Sequence, residues 1–206
     1  MRASLSIAAA LVGAATALPK IPFLSTTDTI PGAPVVYMRQ SSSACFLIGD
    51  ETLPAETADI AADLASTVTC STTDTTIANV PDVTSGSTTY SSIDFSQSSQ
   101  SALTFALAKF ATASPLADSD LATFQDMLNV YQATEAGIRS VGGSLAIKVP
   151  KFFLEMQVSR IQEAQGNPPT AAGLQVDHLR DKVLKNAPSE SQTLLDQVTK
   201  LATQLS

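Results

Sequence analysis

The sequence predicts an α-rich α+β fold: a helical bundle of about four to five helices with a small antiparallel β element tied by one disulfide. Three observations predict it. In the second half of the chain apolar residues recur every three or four positions, the period of helices that bury one face. Between residues 66 and 101 that period gives way to a Ser/Thr-rich passage, 19 of 36 residues, carrying the spaced β-formers Ile77, Val80, Val83, Tyr90, Ile93 and Phe95. Of the only two cysteines, Cys45 precedes that passage and Cys70 lies within it. An even count without C-x-x-C spacing favours a structural bridge over a reactive thiol pair.

Taken in order, the elements follow from local chemistry. "MRASLSIAAALVGAATA" (1–17) has a basic residue, a short apolar core and Ala15-Thr16-Ala17 as a small-x-small cleavage site. It is expected to be a secretory signal, too short to span a bilayer. Residues 18–43 hold four prolines and no helical period, so an extended Pro/Ser/Thr-rich arm is expected, with Val35–Met38 a strand candidate. Residues 44–206 are expected to form a single globular domain, with a β-containing part over 44–101 and the bundle over 102–206.

"CFLIG" (45–49) is a second strand candidate. In the helix expected next, Leu53, Thr57, Ile60 and Leu64 share one face, and Pro54 suits its first turn. Two or three short strands are expected within 66–101, with "TSGS" (84–87) as a turn; a flexible, O-glycosylated segment is the alternative. The helices beyond are marked by Leu103, Leu107 and Phe110, then by Leu121, Phe124, Leu128, Tyr131 and Ile138. Asp118 or Ser119 is the expected cap of the second of these. "PKFFLEMQVSRIQEAQG" supplies another helix, ended by Gly166-Asn167-Pro168-Pro169. Ala172, Val176, Leu179 and Val183 mark the next, and Leu194, Val198, Leu201 and Leu205 the last.

The charge and motif content excludes more than it assigns. A net charge of −7 without a basic run argues against nucleic acid and anionic membranes. No later apolar run reaches transmembrane length. His178 is the only histidine, and with Asp177 and Asp181 beside it the position reads as an exposed helix face rather than a catalytic base. Zinc would lack ligands, and Asp118, Asp120 and Asp126 lack the loop glycine and terminal Glu of a calcium loop. No catalytic, cofactor-binding or metal residue is assigned, and no cofactor is expected.

The least ordinary stretch is "TEAGIRSVGGSLAIKVPKFFLEMQ" (134–157). Its glycines and Lys148 fit neither a P-loop nor a dinucleotide-binding fingerprint. A helix-ending Gly142, a corner at Gly143 and a helix restarting near Pro150 fit better. Glu135 continues an apolar stripe and therefore needs a partner. Arg139 at i+4 is the expected one, with Lys148 or Lys151 reaching across the corner to complete a buried ion pair. A functional carboxylate in a pocket is the competing reading.

"ATEAGIRSVGGSLAIKVPKFFLEMQVSRIQEAQGNPPT", "VDHLRDKVLKN", and "ACFLIG" with "TVTCS" downstream resemble a set of small secreted fungal proteins without an assigned activity, over roughly Cys45 to the C-terminus. The resemblance implies an extracellular or cell-wall setting, no known cofactor and no functional residues. The expected function is a secreted, non-enzymatic interaction or surface protein whose partner is an unknown extracellular protein or cell-wall component. A carrier of a small apolar ligand is the alternative, and a hydrolase the third reading.

Overall fold

The computed structural model describes residues 44–205, so the expected signal at 1–17, the arm at 18–43 and the strand at Val35–Met38 lie outside the described residues. Six α-helices and one three-stranded sheet are described. The elements are α1 (Ala55–Leu64), β1 (Thr69–Thr75), β2 (Pro81–Ser85), β3 (Thr88–Thr89), α2 (Ala102–Lys109), α3 (Leu121–Ser140), α4 (Lys148–Ala164), α5 (Val176–Asn186) and α6 (Gln192–Ala202). Short 3-10 turns link several of them.

The sheet is antiparallel in the order β1-β2-β3, with Cys70 opposite Val83 and Ser85 opposite Thr88. The expected turn is a two-residue hairpin loop, Gly86-Ser87, with Gly86 at φ +53°. The hairpin docks on α3: Ser85 Oγ donates to Asp126 Oδ1 at 2.7 Å, and a Cβ on Gly86 would lie 2.1 Å from Asp126 Oδ2. Cys45 and Cys70 are bonded, tying the residues before α1 to β1.

Cys45–Gly49 is not a strand, contrary to the expectation. Its backbone pairs with a helix end instead of a neighbouring strand. Ile48 N and Gly49 N donate to Ser140 Oγ, both at 3.1 Å, and Glu51 N donates to the Ser140 carbonyl at 2.9 Å. These bonds satisfy donors in the segment and an orphan carbonyl at the end of α3. Phe46 is fully buried, a contribution of about 1.5–3 kcal/mol. A close backbone approach permits this docking, because a Cβ on Gly137 of α3 would lie 2.6 Å from the Phe46 carbonyl oxygen.

The core lies where α3 and α4 cross. Phe124, Leu128, Tyr131 and Ile138 of α3 are buried as their spacing predicts. The Tyr131 ring packs edge-on against Tyr90 and Phe110, and its hydroxyl donates to the Ile93 carbonyl. Asp120, rather than Asp118 or Ser119, caps α3 by accepting from Ala122 N and Thr123 N, because Leu116–Asp118 is occupied by a 3-10 turn. The helices neighbour one another in the order α1, α3, α4, α5, α6, with α2 also against α4. Polar as well as apolar faces of α4 are therefore covered: Lys151, Glu155, Gln157, Ser159 and Arg160 are all buried.

Two glycines hold the corner between α3 and α4. Gly142 sits at φ +66°, its N–H reaching the Arg139 carbonyl, while Gly143 N–H reaches the Ile138 carbonyl. This is a Schellman closure, and it requires the left-handed backbone that glycine adopts without strain.

Candidate functional site

Gln132, Glu135 and Arg139 fall on one face of α3 at i, i+3 and i+7. Lys148, Lys151 and Glu155 do the same on α4. The α3–α4 corner turns these faces toward each other and produces a buried charged seam. Arg139 Nη2 stands 2.7 Å from Glu135 Oε1, with Arg139 Nε donating to the same oxygen at 2.9 Å. Lys151 Nζ stands 2.8 Å from Glu135 Oε2 and 3.6 Å from Glu155 Oε1. Gln132 Nε2 donates to Glu155 Oε1 at 3.2 Å.

Electrostatics follows the distances. Burial pushes the Glu135 carboxyl up, but the adjacent Lys151 and Arg139 outweigh it and hold the group below the usual carboxylate value. Glu155 is also buried and its cation is farther away, so desolvation prevails and its carboxyl is raised. Burial opposes the charged form of Lys151; the two carboxylates overcome it and raise the ammonium. Lys148 is lowered, by its own partial burial and then by the neighbouring Arg139.

The seam forms the floor of a cavity of about 120 Å³. Its remaining walls come from Glu56, Thr57 and Ile60 of α1, Phe152 of α4 and Lys182 of α5. The Glu56 carboxylate and the Lys182 ammonium thus reach the same cavity from two different helices. Lys151 Nζ lies 4.0 Å from the Phe152 ring centroid and Lys182 Nζ 5.7 Å, both within cation–π reach. Among the described residues no ion pair reaches Lys148 or Lys182. Four cations thus meet two carboxylates in the lining, with Glu155 behind them.

The residues expected from sequence are placed as follows. Glu135 meets Arg139 at i+4, and Lys151 supplies the second contact. Lys148 lines the same cavity without pairing to Glu135. His178 is exposed on α5. Sequence reasoning missed Gln132, Glu155, Glu56 and Lys182. The i+4 spacing of Lys151 and Glu155 was an available signal. Nothing local marks Glu56 or Lys182, which join the site only through tertiary packing.

The chain belongs to the family described as a domain of unknown function (DUF7143), which matches residues 47–206. No curated protein and no solved structure matches it.

Proposed function

We propose that this member of the family is a secreted, non-enzymatic binding protein that acts outside the cell or at a fungal cell wall and recognises a small anion through the α1–α3–α4–α5 cavity. One observation carries the reading. Of the nine lysines and arginines between Ala44 and Leu205, four line this cavity, although the same stretch holds 18 Asp and Glu. Such focusing of one sign in a concave site raises the local concentration of the opposite sign.

The lining favours an anion over the apolar ligand considered from sequence, since only Ile60 and Phe152 among its residues are apolar. Binding is favoured over hydrolysis because Glu135 and Glu155 are both engaged by Lys151. The extracellular setting is supported by the leader-like pattern at 1–17 and by the resemblance to small secreted fungal proteins. The Cys45–Cys70 bridge is compatible with it, as is the lack, among the described residues, of any helix long and apolar enough to cross a membrane.

Calorimetric titration of the oxidised protein at low salt tests the reading with butyrate, phosphate and sulfate as anions and butylammonium as the cationic control. At least one anion should bind with Kd below about 1 mM, and butylammonium should not. The variant Lys148→Met/Lys182→Met should bind that anion at least tenfold more weakly. Silence with every anion, or undiminished binding by the double variant, would reject the proposal.

A further inference from the structure

The α4 N-terminus breaks a general rule of helix electrostatics. A helix start carries positive partial charge and ordinarily attracts acidic residues. The first turn of α4 has no acid, and its first and fourth residues are Lys148 and Lys151. Glu135 and Glu155 offset Lys151; Lys148 has no ion-pair partner among the described residues. The backbone does not supply the compensation either. Lys148 N–H is bonded to the Leu145 carbonyl, Val149 N–H to that of Ala146, and Pro150 has no N–H. A ligand here meets ammonium groups and the helix field, not a cradle of amides. Local rules broken without internal compensation are expected where a sequence serves a ligand.

From this cavity we infer a ligand class: a compact organic monocarboxylate, its carboxylate between Lys148 and Lys182 and its short apolar body against Ile60 and Phe152. The inference rests on the anion-binding reading and narrows it in three ways. First, Arg139, Lys148, Lys151 and Lys182 face Glu56, Glu135 and the underlying Glu155. Above the pH at which Glu155 gives up its proton the excess is a single positive charge, which one carboxylate neutralises and a dianion exceeds. Second, Glu56 is a lining carboxylate, and it penalises a second negative charge on the ligand. Third, the volume is small. An engineered cavity of about 150 Å³ admits benzene, so about 120 Å³ admits an acid of a few carbons and no lipid.

The test is a calorimetric series on the intact, oxidised protein with acetate, butyrate, phosphate and sulfate, repeated on Glu56→Gln. Glu56 is exposed, so this substitution leaves the core unaltered while adding one net positive charge to the cavity. Butyrate should bind at least tenfold more tightly than sulfate or phosphate. It should exceed acetate by about tenfold, as two additional buried methylenes imply. In Glu56→Gln, sulfate should gain at least fivefold while butyrate changes less. Phosphate or sulfate binding as tightly as butyrate would overturn the ligand class and leave anion recognition intact. Acetate equal to butyrate would remove the apolar part of the site, and a Glu56→Gln variant with unchanged selectivity would remove the charge argument. Failure of every anion to bind would overturn this inference and the proposed function together.

Discussion

Replacing Glu135 by Gln and Lys151 by Met, singly and together, probes the seam on which the cavity rests. Glu135→Gln keeps the side-chain volume but takes away the carboxylate 2.8 Å from the Lys151 ammonium. Removing one member of a buried pair costs about 3–5 kcal/mol, because the other is left uncompensated. Here Lys151 keeps Glu155 at 3.6 Å, and Arg139 is partly exposed and can hydrate. The low end, about 3 kcal/mol, therefore applies. Lys151→Met leaves Glu135 with Arg139 and lets Glu155, already raised, take up a proton; with its apolar stem retained, the change should cost about 2 kcal/mol. Both replacements together remove the charge and its partner, so the double variant should lose about 3 kcal/mol instead of the sum of roughly 5, a coupling of about 2 kcal/mol. Urea unfolding at pH 7, followed by circular dichroism, measures all three. Losses that add to within about 0.5 kcal/mol would refute the claim that this pair forms the core of the seam.

Other expectations test the frame around the site. Removing the Cys45–Cys70 bond with two serines opens a separation of 25 residues and should cost about 3 kcal/mol; unchanged urea stability would contradict the bridge's role. Gly142→Val places a β-branched residue at φ +66° and should destabilise by more than about 1 kcal/mol. Gly137→Ala gains about 1 kcal/mol of helix propensity but drives a methyl into the Phe46 carbonyl and Val80, so a net loss is expected and a more stable variant would disprove the close approach. The raised Glu155 carboxyl gives a definite sign with pH. Above the unfolded value of about 4.3 the native state holds this proton more tightly than the unfolded state does, so the stability from this group falls as pH rises through the window up to its folded value. Glu135, being lowered, acts below that window. Thermal unfolding from pH 4.5 to 7 should therefore show a downward contribution that Glu155→Gln lacks; parallel curves for the two proteins would rule it out.

Much of the frame was legible because its causes are local. Phe124, Leu128, Tyr131 and Ile138 announce the buried face of α3 by spacing alone. The hairpin follows from a glycine between β-formers, the α3–α4 corner from Gly142-Gly143, and the bridge from the only two cysteines. What was not legible depends on distant partners. Cys45–Gly49 has the composition of a strand, but Ser140, more than 90 residues away, takes its N–H groups, so no neighbouring strand is needed. Nothing local in α4 marks Glu155 or Arg160 as buried, yet helices on several sides cover them, and Glu155 lies behind the lining to which Lys151 contributes. Glu135 was marked as needing a partner because it interrupts an apolar stripe. Lys182 lies on a polar stretch of α5 whose sequence says nothing of a cavity, and Glu56 belongs to an unremarkable first turn of α1. The excess of cations at one point of an acidic protein therefore emerges only when four helices are assembled.

The most direct test of that point is residue-resolved. In a protein labelled with carbon-13 at lysine Cε, titration with butyrate should shift the resonances of Lys148 and Lys182 most, with a smaller effect at Lys151, whose ammonium is already held by Glu135 and Glu155. Lys109, Lys185 and Lys200, which lie outside the cavity lining, should stay in place. Saturable movement confined to the three cavity lysines is the predicted result. No movement, or equal movement at all lysines, would contradict an anion site between α1, α3, α4 and α5.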